Sequence, residues 1–228
     1  MTAQNDARWM FEQLTAHFGP VRLPIADPVD TLILTILSQN TTDTNRDRAY
    51  AALTKRFPAL ETVLAAETAE LENTIRVAGL QQQKARAIQG AVRRILDASG
   101  RMSLDLLRPM ATDDAMSWLL ELPGVGAKTA GIVVLFALRK PYFPIDTHIR
   151  RVLSRVGLLH KGHDPHRAMN DILPADVPMM IGLHLHTIRL GRTICRPRRP
   201  DCPACPLRKR CAYRKQTESP KTRKGNTQ

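Results

Sequence analysis

The chain has 228 residues, of which 43% are hydrophobic and 24% are charged, an ordinary composition for a globular protein with its own core. Its formal net charge of +13 points to a polyanionic partner such as nucleic acid, with a generally basic protein as the alternative. The N-terminus is polar and carries no apolar signal region, and the longest apolar run, 130–138, is far below the ~18 residues that span a bilayer. We therefore expect a cytoplasmic, nucleoid-associated protein with no membrane partner.

Helical periodicity dominates the chain, and β-branched residues nowhere alternate as they do in a strand. The pattern of apolar residues within charged frames, together with cap residues such as Gly100, predicts helices at 30–37, 44–57, 68–77, 82–98, 114–121, 127–138, 146–156 and 178–192. The helix at 127–138 is apolar on nearly all sides and should lie at the centre of the core. The chain is therefore predicted to be all-α.

The helices at 114–121 and 127–138 are joined by a short glycine-rich turn, Leu122-Pro123-Gly124-Val125-Gly126. Glycine permits positive φ and lets a ligand approach the backbone closely. The following helix points its free N–H groups at whatever lies there. A DNA phosphate fits this description and would be held without sequence preference. Gly124, Val125 and Gly126 are thus candidate DNA-binding residues, with an ordinary helix–helix turn as the alternative.

Lys128 and Asp146 each open a predicted helix. The positive end of the helix dipole and the apolar neighbours disfavour an ammonium at Lys128 and favour a neutral, nucleophilic amine. A phosphate contact or a solvated side chain is the commoner role of an isolated lysine. Asp146 is suited to cap its helix, and a carboxylate fixed in this way can also act as a base or stabilise a developing cation. Both are candidate catalytic residues.

The four cysteines, Cys195, Cys202, Cys205 and Cys211, have the spacing C-x6-C-x2-C-x5-C. Cytoplasmic thiols stay reduced, which disfavours disulfides. Structural zinc usually uses two closely spaced pairs or adds histidines, whereas only the middle two cysteines form such a pair here. A four-thiolate [4Fe–4S] cluster accommodates the wider spacings. The spacing favours the cluster and leaves zinc as the alternative.

Positive charge is concentrated around and after these cysteines. Residues 195–228 hold 11 Lys and Arg against 2 Asp and Glu. Arg196, Arg198 and Arg199 lie between the first two cysteines, where a loop held by metal would present them to phosphates. The basic residues 214–228 are predicted to form a disordered tail.

These segments together resemble the endonuclease III family of base-excision DNA glycosylases, within the helix-hairpin-helix superfamily. The resemblance rests on residues 122–128, on Ile145-Asp146-Thr147-His148 and on the cysteine set, in the family's order and at its separations. Residues 37–43, and Gly79-Leu80 with Lys84-Ala85, also match in character. It covers roughly residues 28–213.

The resemblance implies a fold and a cofactor. The fold would be two-lobed and all-α, with a six-helix barrel domain that carries the helix-hairpin-helix at 21–140. A second domain, built from 1–20 and 141–213, would hold a [4Fe–4S] cluster through the four cysteines. The protein would be a monomer that binds duplex DNA containing damaged bases or abasic sites.

The resemblance also implies the roles of single residues. Lys128 matches the lysine that attacks C1′ of the damaged nucleotide, and Asp146 matches the carboxylate that assists it. Gly124 and Gly126 match the hairpin that grips phosphate, and Leu80 matches the residue wedged into the duplex beside the lesion.

Gln39 and Asn40 are both candidates for the residue that fills the gap left by the flipped base. Asn40 occupies the position where the family often has a glutamine, and Gln39 is displaced from it by one residue. The choice between them is open from sequence, and with it the preference for lesion and opposite base.

The implied function is that of a bifunctional DNA glycosylase and AP lyase of base excision repair that removes damaged bases from duplex DNA, with oxidised pyrimidines as the expected lesions. Lys128 would expel the base, and the strand would then break by β-elimination. One alternative is a monofunctional mismatch glycosylase that uses water in place of lysine, which the presence of Lys128 disfavours. Another is a non-catalytic DNA-binding protein whose cluster senses redox state, which the combination of Lys128 with Asp146 disfavours.

Overall fold

The computed structural model describes residues 2–22 and 25–218, and these residues form helices and no strand. The α-helices are α1 (Ala3–Phe18), α2 (Pro28–Leu37), α3 (Asp43–Arg56), α4 (Thr68–Thr74), α5 (Gln81–Ser99), α6 (Thr112–Leu120), α7 (Ala127–Ile132), α8 (Thr147–Val156), α9 (Pro165–Ile172), α10 (Val177–Thr193) and α11 (Ala212–Glu218). Short 3₁₀ helices occupy Leu60–Leu64, Arg76–Ala78 and Asp105–Leu107, and a π-helical turn at Val133–Ala137 continues α7. The all-α prediction is confirmed. No helix of the described residues combines the length and apolarity that a membrane span requires.

Local sequence signals set most helix ends. Asp27 caps α2 by accepting hydrogen bonds from the backbone N–H groups of Val29 and Asp30 at 2.8 and 3.0 Å. Gly100 ends α5 with a φ of 70°, which places it in the left-handed region that glycine adopts without strain. The helix predicted at 82–98 is thus confirmed to within one residue at each end.

Three helices are absent from the set predicted from periodicity, namely α1, α9 and α11. α9 is absent from the predicted set because its apolar pattern is sparse, and Met169 is its single buried residue. Residues 214–218 lie in α11, which corrects the predicted start of a disordered tail at 214. The helix begins beside Tyr213, whose ring lies 4.7 Å beneath the Arg155 guanidinium carbon of α8, so packing holds a segment whose composition alone favours disorder. The rest of the predicted tail, 219–228, lies outside the described residues.

The chain forms two compact units. One combines Met1–Arg22 with Ile145–Gln228, and we call it the terminal unit; the other is Leu23–Pro144, the central unit. The domain limits drawn from the family resemblance stay a prediction.

The core of the central unit is built around α2, α5 and α7. α2 buries eight of its ten residues, whereas α5 buries one stripe that includes Ala85, Ile88, Val92 and Ile95. Three of the six residues of α7 and four of the five residues of its π-helical continuation are buried, which confirms the predicted central place of 127–138. A residue at the start of α7 is therefore held on a rigid base.

In the terminal unit, α10 packs between α1 and α8. A Cβ at Gly182 would lie 2.7 Å from Cε2 of Phe11, and a Cβ at Gly191 would lie 3.0 Å from Cβ of His148. Glycine at these two positions lets the neighbouring helices approach closely. α8, which begins beside Asp146, is thereby fixed to the helix that leads into Cys195.

Candidate functional site

The hairpin between α6 and α7 presents bare backbone at the surface. Gly124 has a φ of +73°, and the backbone N–H of Val125 donates to the carbonyl of Leu122 at 3.1 Å. The side chains of Leu122 and Val125 are buried, whereas Gly124 and Gly126 are exposed. The side chain of Val125 therefore packs within the hairpin, and its N–H donates to Leu122, while its predicted contact with DNA stays a prediction. The exposed backbone of the hairpin lies at Gly124 and Gly126.

The hairpin rests directly on α5. A Cβ at Gly90 would collide with the ring of Pro123, and a Cβ at Gly124 would lie 2.9 Å from Cβ of Ala87. From the other side, the Gln39 side-chain amide donates from Nε2 to the Gly124 carbonyl at 3.1 Å. The hairpin is thus positioned by contacts from two elements distant in sequence.

The two hairpin glycines are expected to respond differently to substitution by alanine. Gly124→Ala should destabilise the fold by about 1–3 kcal/mol, because it combines positive φ with a crowded Cβ position. Gly126→Ala should change stability by less than about 1 kcal/mol, because no atom lies within 4 Å of its Cβ position and its φ is −103°. Gly126→Ala should instead weaken duplex binding. Urea unfolding and fluorescence anisotropy measure the two effects, and equal destabilisation by both substitutions would contradict the expectation.

Lys128 lies in the first turn of α7, one residue beyond the hairpin and half-buried. Gly126 is the N-cap, and it offers the helix no side-chain hydrogen bond. The positive end of the helix dipole at this terminus disfavours an additional positive charge on a neighbouring ammonium. The position is thus suited to an amine that reacts as a nucleophile.

Two further turns of the central unit are exposed and adopt left-handed backbone. Asn40, between α2 and α3, has a φ of 51°, and Leu80, just before α5, has a φ of 49° and is 43% exposed. Left-handed backbone costs a non-glycine residue about 1–2 kcal/mol, and a leucine that is 43% exposed recovers only part of this through burial. Such strain at an exposed apolar residue favours a role in binding over a role in folding.

Lys84 is a residue whose place in the structure the sequence does not reveal. It lies on the buried face of α5, and only 1% of it is exposed. Its Nζ donates hydrogen bonds to the carbonyl oxygens of Leu37 and Ala78, both at 2.8 Å. Burial lowers the pKa of Lys84. The neighbouring Gln, Arg and Ala residues predict an exposed position for this lysine. Its burial follows only from the packing of helices in three dimensions.

In the terminal unit, Asp146 is the N-cap of α8. Its Oδ1 accepts a hydrogen bond from the backbone N–H of Ile149 at 2.7 Å, as the cap prediction requires. The preceding residue is held as well, because the Ile145 N–H donates to Nδ1 of His166 at 3.3 Å. The carboxylate is half-buried and fixed in orientation.

The four cysteines line one small cavity, part of it open to solvent, together with Arg155, Arg208 and Tyr213. Burial, reinforced by the neighbouring thiols, raises the pKa of the Cys205 thiol to about 11. Among the described residues, no group of three or more His, Cys, Asp or Glu residues is arranged closely enough to hold a single metal ion.

Arg155 attaches the loop after Cys195 to α8. Its guanidinium donates to the carbonyls of Arg196 and Pro197 at 2.8 and 2.9 Å and lies 3.4 Å from the Cys195 sulfur. The loop backbone is thereby held while its arginine side chains stay exposed, namely those of Arg196, Arg198 and Arg199. The predicted phosphate-binding arginines thus lie on one anchored, exposed loop.

The structure groups the predicted residues by unit. Lys128 and the hairpin lie in the central unit, as do Gln39, Asn40 and Leu80. Asp146, the cysteines and the loop arginines lie in the terminal unit.

Comparisons with known proteins agree with these features. Residues 33–174 match the sequence profile of the HhH-GPD superfamily of base excision DNA repair proteins. Endonuclease III of Thermotoga maritima is 31% identical over 189 residues, covering 82% of this chain and 84% of that protein. A DNA glycosylase-like protein of Arabidopsis thaliana is 34% identical over 162 residues, which cover 70% of this chain and 55% of the plant protein.

A solved structure shows the same fold. It is a trapped covalent intermediate of endonuclease III with DNA, described as an estranged-adenine complex. It matches with a TM-score of 0.80 at 29% identity and covers 95% of this chain and 99% of that chain.

Proposed function

We propose that this chain is a bifunctional enzyme. The premise is that it belongs to the HhH-GPD superfamily of base excision DNA repair proteins and is an endonuclease III-like DNA glycosylase. It removes oxidised pyrimidines from duplex DNA and then cleaves the strand as an AP lyase. One observation carries the proposal: a half-buried lysine, Lys128, lies in the first turn of a rigid helix, directly after a hairpin of exposed backbone.

Lys128 is the nucleophile in this proposal. Its neutral amine forms a bond to C1′ while the bond from C1′ to the base breaks, and the electron pair of that bond leaves with the base. Opening of the sugar ring produces a Schiff base between Lys128 and C1′. Loss of a proton from C2′ then expels the 3′ phosphate, which is β-elimination. The related endonuclease III that has been trapped as a covalent intermediate with DNA supports this route.

Asp146 takes the proton that the attacking lysine loses, or stabilises the positive charge that develops on the sugar. The hydrogen bond from the Ile149 N–H fixes the orientation of the carboxylate. The same hydrogen bond caps α8, so one side chain serves both folding and chemistry.

Duplex DNA is bound through its backbone and opened beside the lesion. The exposed backbone at Gly124 and Gly126 receives a phosphate. Leu80 enters the duplex, because an exposed leucine on strained backbone gains apolar contact there. Asn40 fills the gap left by the flipped base, since it is exposed while the amide of Gln39 is occupied by the Gly124 carbonyl.

The cysteine cavity fits a [4Fe–4S] cluster held by Cys195, Cys202, Cys205 and Cys211. The fit rests on the four thiols lining one cavity and on their spacing, which only partly matches paired zinc ligands. The four cysteines would hold the cluster, which would provide a rigid anchor at this end of the unit, and Arg155 binds the adjoining loop that carries the arginines.

Removing one ligand should therefore unfold the loop. Cys205→Ala is expected to reduce the iron and sulfide content to near zero, and to lower the slope of log affinity for duplex DNA against log salt by about three. The slope falls because three arginines, Arg196, Arg198 and Arg199, lose their anchored position. A triple alanine variant of these arginines is the matched control, since it should retain iron and lose the same slope. Cys205→Ala with full iron content would contradict the ligand assignment.

The function is tested with duplexes that carry a single oxidised pyrimidine, incubated with the enzyme and analysed with and without alkali. Strand cleavage without alkali is expected and would establish both activities. Cleavage only after alkali would support a monofunctional glycosylase. Binding without cleavage under either condition would favour the non-catalytic alternative.

A further inference from the structure

The three elements of the central unit to which we assign DNA contacts are joined through one helix. α5 carries Ala87 and Gly90 beneath the hairpin, and it carries Lys84 one turn closer to its N-terminus. Lys84 binds the Leu37 carbonyl, which lies two residues before Gln39, and the Ala78 carbonyl, which lies two residues before Leu80. A single buried ammonium therefore connects the bases of two turns that are far apart in sequence.

A hydrophobic side chain in place of Lys84 would fill the space between the two turns without the cost of burying a charge. An ammonium is expensive to bury, and it is tolerated here because two carbonyl oxygens at 2.8 Å replace water. Both carbonyls lie at the ends of helical segments, α2 and Arg76–Ala78, where backbone acceptors have no partner within the helix. The positive charge also suits the negative ends of the two helical segments. Lys84 thus links the two turns through directional hydrogen bonds, which an apolar side chain would not provide.

We propose that Lys84 is a positioning residue whose buried ammonium holds the Gln39–Asn40 turn and Leu80 at the spacing required to open the duplex and occupy the gap left by the flipped base. The inference rests on the proposed function, because it takes the DNA contacts of Asn40 and Leu80 from it. Lys84 is not the nucleophile, since its Nζ is enclosed and committed to two carbonyls.

The test compares single-turnover excision of one oxidised pyrimidine in two settings, a fully paired duplex and an unpaired bubble. Lys84→Met keeps the length of the side chain and removes the charge. It should slow excision from the paired duplex by about tenfold to a hundredfold, because misplaced contact residues no longer assist extrusion. In the bubble, where extrusion needs little work, the loss should be less than about threefold. Rates are normalised to the fraction of enzyme trapped by borohydride on an abasic site, which corrects for misfolded protein.

Two controls accompany this variant. Leu80→Ala should reproduce the selective loss on the paired duplex, and Lys55→Met, on the exposed face of α3, should leave both rates unchanged. If Lys84→Met does not fold, Lys84→Arg provides the same comparison, because it keeps the charge but holds the two carbonyls at a different spacing. A selective loss on the paired duplex supports the proposal for either variant.

Equal losses of excision rate on the paired duplex and the bubble would overturn the proposal for Lys84, as would wild-type rates on both substrates. Absence of excision by the wild-type enzyme on both substrates would overturn the proposed function and this inference with it, and that result is visible before any variant is compared.

Discussion

Replacing Lys128 with alanine is expected to abolish covalent trapping by borohydride on duplex DNA that contains an abasic site. Without the amine no Schiff base forms, so strand cleavage should fall by about 10³-fold or more, as is typical when a nucleophile is removed. Affinity for the same duplex should change little, because the hairpin glycines and the loop arginines to which we assign phosphate contacts are untouched. Trapping is followed on denaturing gels, and affinity by fluorescence anisotropy.

Two further variants make the Lys128 result specific. Lys128→Arg keeps the positive charge and should also fail to trap DNA, because a guanidinium is not deprotonated in proteins. Lys84→Met should still form the adduct, since Lys84 is enclosed by the core and takes no part in the bond to C1′. Efficient trapping by Lys128→Ala would assign the nucleophile to another residue.

Replacing Asp146 with asparagine is expected to separate chemistry from folding. Asparagine caps helices about as well as aspartate, so α8 should keep its start and the thermal midpoint should hardly move. The charge is lost, and excision should slow by about 10²–10⁴-fold, as for loss of a general base or of an electrostatic stabiliser. Single-turnover excision and thermal unfolding are measured on the same preparation.

A second cap in the same unit supplies the matched control. Asp176 caps α10 by accepting from the Met179 N–H at 3.0 Å, so Asp176→Asn makes the same chemical change at another helix start. It should leave excision unchanged. Asp146→Ala should lose both the activity and about 1 kcal/mol of stability, because alanine cannot cap the helix. An Asp146→Asn enzyme as active as wild type would leave Asp146 with a structural role alone.

The sequence predicts features that depend on near neighbours along the chain. Apolar periodicity predicts the helices, and capping residues such as Asp146 and Gly100 predict where they begin and end. Both signals act within one or two helical turns, so they can be recognised in the local sequence. α1, α9 and α11 are not predicted from periodicity. Few apolar residues of α1 and α9 are buried, and in α11 a contact between Arg155 and Tyr213 provides what the local sequence does not.

The sequence by itself also identifies the candidate functional side chains. The contacts that position these side chains are determined only by the tertiary structure. Short sequence patterns identify several of these candidates, because each pattern lies within a short segment: Lys128, Asp146 and the four cysteines. No local pattern shows that Gln39 binds the Gly124 carbonyl, that Val125 turns inward, or that the buried Lys84 joins two distant turns. These contacts join residues between 6 and 85 positions apart, and burial decides which polar groups must find such partners. The sequence therefore predicts which groups are candidates for the chemistry, whereas the contacts that hold them in place depend on which helices pack together.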